Sequence, residues 1–427
     1  MPPSTIRKIA VVITHRAPYA RLKPVLRAIK KHPGLELQII VGTPMNMHHF
    51  FFALRHGEFR SLREVLPWHL KARAKTMFRR GDVSRHELLT SLIKKDGFHI
   101  DRYLPMFLDG GDLATMLKVQ ANVLFELPKI LKELKPAVLL VHADRFEMLP
   151  VAIVGATLNI PVAHTQGGDV SGTIDESVRH AITKLAHIHF PTSEKSKARL
   201  IQMGEDPGAI VMTGCPTIDG LKEIDLSIDD GFYDRVGKVY GDRIDLNKPF
   251  LLVLQHPVTS EYVHSRKNME EILKAVAEIG MPTLLFSPNI DGGSDSASVA
   301  VREFLAHHTL PLLSIYKHFN ADDFYRALNA ASAAMGNSSS FIREGSYLGV
   351  PAVLVGTRQR ERERADNVIE AGYRKEEIVT AIRRQLEHGK YPKSELYGNG
   401  TASLKIAESL ASLPLPSTQK TFHTHTV

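Results

Sequence analysis

Three acids stand just behind short apolar runs of this 427-residue chain. Asp144 follows the run 137–142, and Asp169 follows 161–165 across Gln166-Gly167-Gly168. Asp175 lies beyond a loop that contains Gly172. Carboxylates at neighbouring strand ends suit general acid and base work. Asp175 also opens a helix-like run, so capping is an equal reading for it. Cations stand nearby: Arg16 and Arg21 behind the run 9–14, Arg145 beside Asp144, and Arg179 ten residues after Asp169.

The second half offers a different chemistry. Gln255-His256-Pro257 follows one apolar run, and Gly336-Asn337-Ser338-Ser339-Ser340 follows another. Small residues before a helix admit a phosphate to backbone N–H groups, although Ser and Asn also cap helices with no ligand involved. The run 356–362 comes after the next apolar stretch, and its Arg358 is of the type that clamps a diphosphate. Arg360, and with it Arg364, reads as part of a solvated loop.

What positions these residues is an alternation of short apolar runs with amphipathic stretches, the pattern of parallel sheets with crossover helices. The runs at 9–14, 35–41, 137–142, 161–165 and 210–213 predict strands. Those at 22–31, 116–134 and 175–186 predict helices. After a polar stretch at 224–248, read as a domain connection plus a surface helix, the alternation restarts. Strands are expected at 250–255, 283–286, 312–315, 333–335 and 352–355, and helices at 268–279, 322–331 and 343–348. The reading is an α/β protein of two facing units, 1–225 and 226–413, with a flexible tail at 414–427. Ligands of open parallel sheets bind at the carboxyl ends of strands.

Composition narrows the function classes. With 43% hydrophobic and 23% charged residues the chain is globular. Its single cysteine, Cys215, excludes an internal disulfide. His187 and His189, like His48 and His49, lack a third ligand at zinc-motif spacing, so neither a metal nor a cofactor is expected. No apolar run nears the roughly 18 residues of a membrane span, and residues 1–20 read as a first strand, not a leader. A cytoplasmic protein is expected. The net charge is +8, and residues 55–94 carry ten Lys/Arg against four acids. No nucleic-acid motif accompanies them, so they read as a solvated or subunit-contact face.

The stretch 143–221, beginning ADRFEML, resembles the hydrolysing UDP-N-acetylglucosamine 2-epimerases, which make N-acetylmannosamine for sialic acid synthesis. QHPVT (255–259), PNIDGGS (288–294), GNSSSFIREGSYLGVP (336–351) and GTRQRERERADNV (356–368) follow that family's pattern in order. Residues 45–108 match it least. The resemblance implies a GT-B fold, two Rossmann-like domains facing across a cleft, and a homodimer or homotetramer. It implies a UDP-sugar substrate, with no nucleic acid or membrane partner. By the same resemblance Ser338, Ser339 and Arg358 meet the diphosphate or the adjoining sugar, and Glu344 the ribose. Arg16 and Arg21 face the phosphates, and His256 lies near the glycosyl oxygen. Asp144, Asp169 and Asp175 form the catalytic cluster, with Arg145 and Arg179 beside it.

Two departures stand out. Ala143 replaces a glycine of the family pattern, and Asp169 replaces a glutamate, one methylene longer. The second fits either a shifted substrate, such as a 2,4-diacetamido-6-deoxy sugar nucleotide, or a compensated geometry. The alternatives are a non-hydrolysing 2-epimerase, a GT-B glycosyltransferase, and a non-catalytic sugar-nucleotide binder.

Overall fold

Strand β1 (Arg7–Ile13) is a continuous apolar run from Ile9 on, because both of its faces are covered there. In the computed structural model, which describes residues 6–45, 85–108, 113–241, 243–287, 294–308, 310, 312–316 and 319–424, it lies within a six-stranded sheet. The other strands of that sheet are β2 (Leu35–Pro44), β3 (Arg102–Phe107), β4 (Val138–His142), β5 (Val162–Thr165) and β6 (Ile188–Phe190). The order is β3-β2-β1-β4-β5-β6, with every pair parallel. The pleat sends Ile9, Val11 and Ile13 to one face, against Leu22, Leu26 and Ile29 of the helix Arg16–Lys31. Ala10 and Val12 go to the other, against Val119, Val123 and Leu127 of the helix Leu113–Leu134.

The second sheet repeats the plan. It comprises β7 (Lys238–Tyr240), β8 (Leu251–Leu254), β9 (Thr283–Phe286), β10 (Leu313–Tyr316), β11 (Ala333–Gly336), β12 (Ala352–Val355) and β13 (Val368–Ala371). The order is β13-β12-β11-β8-β9-β10-β7, with only β7 antiparallel. Leu251 and Val253 pack against Met269, Ile272 and Leu273 of the helix Ser265–Ile279. Leu252 faces Phe341 and Ile342 of the helix Ser339–Leu348. Both sheets reverse winding direction once, the first between β1 and β4 and the second between β8 and β11. Ligand crevices open at such switch points. The two-unit α/β architecture is that of the GT-B fold.

Several elements differ from expectation. Residues 210–213 form only a single bridge, Ile210 to His189, and not a strand. The connection at 224–248 holds the one-turn helix Phe232–Arg235 and the edge strand β7. Strands β3, β6 and β13 and the helix Lys375–His388 were not anticipated: β6 has three residues, and β13 is a half-exposed edge strand. The helix Ala402–Ser412 buries Ile406, Ala407 and Leu410 in the core of the first sheet. The chain therefore returns to its first unit before residue 413.

The tail, expected to be flexible, is anchored over residues 418–424. Lys420 Nζ donates to the carbonyl of Thr183 at 2.9 Å and to that of Lys184 at 3.2 Å, capping the helix Ile174–Leu185, and pairs with buried Glu205. Phe422 lies over Gly204, and His423 N donates to the Gly204 carbonyl at 3.0 Å. Of the basic segment, only the part from Arg85, in the helix Arg85–Lys95, lies within the described residues. Most of the PNIDGGS motif lies outside them.

Candidate active site

The two switch points gather most of the residues singled out from sequence. Behind β1, Arg16 opens its helix and half-buried Arg21 sits one turn on. Behind β4 come Ala143, Asp144 and Arg145; behind β8, His256; behind β11, Asn337, Ser338 and Ser339. Gly336 has φ 133°, and a Cβ there would stand 2.1 Å from the Leu254 carbonyl, so only glycine lets β11 end against β8. The Asn337 side chain then clasps His256. Its Oδ1 accepts from the His256 N–H and its Nδ2 donates to the His256 carbonyl, each at 2.8 Å.

Arg179 organises the carboxylates. It is almost fully buried and hydrogen-bonds Asp144. Its Nη1 donates to the Asp169 carbonyl at 2.8 Å and its Nη2 to Ser171 Oγ at 3.3 Å. Burial alone would raise the Asp144 carboxyl, but Arg179, Arg362 and Arg343 outweigh it and hold Asp144 well below the usual carboxylate range. Asp175 moves the other way. Burial and then the Asp144 charge raise it, opposed by Arg358, Arg145 and Arg179. Two neighbouring carboxyls pushed apart in this way suit opposite proton-transfer roles.

Asp169 is held differently. Its Oδ1 accepts from Thr192 Oγ1 at 2.8 Å and Ser196 Oγ at 2.7 Å, and its Oδ2 meets Arg362 Nη1 at 3.4 Å. Thr192 and Ser196 belong to the first unit and Arg362 to the second, so this shortened acid joins the two. Arg343 makes a parallel link, donating to Gln166 Oε1 and to Ser339 Oγ, each at 3.0 Å.

Ser338 caps the helix Ser339–Leu348 by accepting from Ser340 N at 3.3 Å, a role that needs no ligand. The cap also fixes the helix N-terminus toward the cleft. Arg358 Nη1 donates to the Asn337 carbonyl at 3.2 Å, tying its loop to the same point. Glu344 is fully buried, and neither carboxylate oxygen accepts a hydrogen bond; Arg343 Nε is 3.9 Å from one of them. Arg21 reaches this region from the first unit: burial and then Arg343 lower its pKa, while Glu344 raises it.

Sequence reasoning passed over Glu147, Arg343, Arg362 and His142. Glu147 is fully buried behind β4. Its Oε1 takes Thr14 Oγ1 at 3.0 Å, Arg145 Nε at 2.7 Å and His15 Nε2 at 3.3 Å. Burial opposes its charge, yet Arg145 and His15 keep its carboxyl well below the ordinary range. His142 ends β4 with Nδ1 paired to Thr165 Oγ1 at 2.7 Å and a buried Nε2 that has no hydrogen bond. Burial and then Arg21 and Arg343 push it down to about 3, so it is neutral at physiological pH. The available signal was proximity in sequence: each of the four lies inside a motif already quoted or at its edge. Among the described residues no three His, Cys, Asp or Glu side chains converge as metal ligands, and no helix is long and apolar enough to cross a membrane.

A family model described as UDP-N-acetylglucosamine 2-epimerase matches residues 69–411. The chain belongs to the UDP-N-acetylglucosamine 2-epimerase family. Within that family it is 35% identical, over 325 residues, to the hydrolysing UDP-N,N'-diacetylbacillosamine 2-epimerase of Legionella pneumophila, covering 76% of this chain and 84% of that one. It is 28% identical over 406 residues to a UDP-N-acetylglucosamine 2-epimerase of Neisseria meningitidis, covering 94% of each. A crystal structure of the Neisseria meningitidis UDP-GlcNAc 2-epimerase bound to UDP-GlcNAc aligns with TM-score 0.72 at 16% identity, over 94% of this chain and 99% of that one. A putative UDP-N-acetylglucosamine 2-epimerase from Listeria monocytogenes aligns with TM-score 0.71, also at 16% identity, over 96% and 98%. At that identity these structures speak to the fold. Among the described residues, the motifs that hold Asp144, Asp169, His256, Ser338 and Arg358 fall behind strands of the two sheets.

Proposed function

We propose that this epimerase-family chain is a hydrolysing 2-epimerase. It takes a UDP-2-acetamido sugar and water to the free C2-epimer and UDP. UDP-N-acetylglucosamine and its 2,4-diacetamido-6-deoxy analogue are the candidate substrates, the latter favoured by the relationship to the Legionella enzyme. The observation that carries the reading is the carboxylate cluster at the strand ends: buried Arg179 hydrogen-bonds Asp144 and the Asp169 carbonyl, with Asp175 close enough to feel the Asp144 charge.

The C2–H of such a sugar is not next to a carbonyl, so direct deprotonation is too costly. Breaking C1–O while the C2 proton leaves is easier, because the ring oxygen supports positive charge at C1. Asp144, kept ionised by Arg179, takes the proton. UDP departs with its electron pair, its charge met by Arg16, Arg21, Ser338, Ser339 and Arg358, with His256 beside the glycosyl oxygen. Preorganised donors of this kind usually supply the largest catalytic contribution. A 2-acetamidoglucal remains. Water adds through its oxygen at C1 and releases its second proton to solvent, while Asp175 gives a proton to C2 from the opposite face, which inverts the centre; proton exchange with solvent then returns Asp144 to the carboxylate and Asp175 to the acid. Asp169 serves through Arg362, which it holds across the cleft. Glu344, with two buried oxygens awaiting donors, suits the ribose hydroxyls.

Turnover in D2O tests the elimination. One deuterium at C2 and free UDP are expected, and in H2(18)O the UDP stays unlabelled because C1–O breaks. Protium retained at C2, or label in UDP, would exclude the mechanism. A nucleotide sugar as product would instead assign the non-hydrolysing reaction.

A further inference from the structure

Glu261 takes no part in the chemistry proposed above, yet three strand-end loops of the second unit meet on its carboxylate. It lies behind β8 in the turn Thr259–His264, which is irregular at this residue (φ −120°, ψ 17°). Thr357, behind β12, donates its hydroxyl to Glu261 Oε1. Tyr373, behind β13, donates its hydroxyl to Oε2 at 3.0 Å. Burial and then Glu261 push the Tyr373 phenol well above its ordinary value, so it stays a donor. Its ring also covers Gly356, where an added Cβ would stand 2.2 Å away. The sheet order places β11 between β8 and β12. One carboxylate therefore ties together loops from the two sides of the β8–β11 switch point.

We infer that Glu261 is a positioning residue that acts through Thr357 to hold Arg358 in place for the leaving diphosphate. The inference rests on the role proposed above for Arg358. Thr357 is its neighbour in sequence, and the Arg358 head has a second tether, the Asn337 carbonyl at 3.2 Å. A long arginine stem on an untied loop would sweep a wide volume, so fixing the backbone beside it preorganises the guanidinium. A hydroxyl bound to a carboxylate is about twice as strong a tie as one between neutral groups. The same residue marks where the two units approach. A Cβ on Gly172, in the loop leading to Asp175, would stand 3.6 Å from the Thr357 carbonyl. A donor about 1 Å out of place can cost on the order of 100-fold in rate. The β-phosphate gains its extra charge only as C1–O breaks. Lost placement should therefore fall on kcat and on UDP affinity more than on KM.

The test combines steady-state kinetics with calorimetric titration of UDP and of uridine, on the full chain. Thr357→Val removes the hydroxyl and keeps the branched shape. It should lower kcat about 10- to 100-fold and weaken UDP binding about 10-fold. Uridine, which has no phosphate for Arg358 to meet, should bind as before. Thr357→Ser keeps the hydroxyl and should recover the loss. Glu261→Ala should match Thr357→Val, and Tyr373→Phe should do less, because Thr357 stays bound. In an Arg358→Ala background neither Glu261→Ala nor Thr357→Val should lower kcat or UDP affinity further, since the group they position is gone. Unchanged kcat and UDP affinity in Thr357→Val would overturn the inference. So would losses that persist in full without Arg358, the mark of a tie that merely supports the fold. A wild type that binds UDP but yields no free epimer would sink the proposed reaction instead, and UDP titration of the same variants would still decide the role of Glu261.

Discussion

Replacing Asp144 by asparagine separates the two carboxyls of the site more sharply than any other single change. Asp144 provides the carboxylate that hydrogen-bonds Arg179, whose other acceptors are a carbonyl at 2.8 Å and a serine hydroxyl at 3.3 Å. Removing one member of a buried ion pair costs about 3–5 kcal/mol. The asparagine oxygen still accepts, and the position is partly open, so a loss of about 2 kcal/mol is expected from denaturant unfolding. The sign with pH follows from the direction of the shift. The folded Asp144 carboxyl lies below its unfolded value, so its contribution is present above the unfolded value and is lost as pH falls through the folded one. The stability gap between wild type and Asp144→Asn should therefore shrink below about pH 4. Turnover should fall by about 10²–10⁴ with UDP binding retained. Asp175 should respond too: burial still raises it, but the repulsion from Asp144 is gone, so its carboxyl titrates at lower pH. The alkaline limb of the residual activity, which needs protonated Asp175, should move to the acid side. An unmoved limb together with wild-type stability would refute the pairing.

Other outcomes follow from the same contacts. Arg358→Ala should slow turnover about 100-fold, since the proposed mechanism makes it a donor to the leaving diphosphate; unchanged kcat would remove that assignment. Asp169→Asn keeps an acceptor for Thr192 and Ser196 but not a charge for Arg362, so kcat should fall about 100-fold in a folded protein, whereas Asp169→Glu should retain activity on the plain N-acetylglucosamine nucleotide. Lys420→Ala uncaps the helix Ile174–Leu185 and takes one cation from Glu205. Burial alone would raise the Glu205 carboxyl, but His189, Lys184 and Lys420 hold it near 2. Stability should drop about 1–2 kcal/mol, and acid unfolding, which protonates Glu205, should begin at higher pH.

The strand ends were legible because parallel strands buried on both faces are short apolar runs, and the residue behind each run is necessarily at the crevice. That is how the positions of Asp144, Asp175, His256 and Ser338 at the crevice are legible in the sequence. Arg179 and Arg362 show the limit. Each was visible as an arginine in a motif, but its role depends on which acid it meets: Asp144 at a distance of 35 residues, Asp169 at 193. No local pattern encodes such pairings. The tail failed for the opposite reason. Its polar composition reads as solvated, yet Lys420 and Phe422 find a buried acid, two helix carbonyls and a glycine surface that exist only once the first unit has folded.

Ala143 joins these two lessons, because its sequence and its conformation conflict. It stands at φ 60°, where the family pattern has glycine, and its N–H and carbonyl are both bound, to the Thr165 carbonyl at 3.1 Å and to His164 Nε2 at 2.8 Å. Those two bonds hold the turn that aims Asp144 at Arg179. A left-handed alanine costs about 1–2 kcal/mol, and glycine gives back part of the gain through the entropy of its unfolded chain. Ala143→Gly should therefore stabilise the protein by about 0.5–1 kcal/mol in thermal or denaturant unfolding, with turnover unchanged or slightly altered. A destabilised Ala143→Gly protein would mean that the methyl group contributes more by packing against its buried surroundings than the backbone loses in strain. The departure from the family pattern would then be part of the site's own architecture.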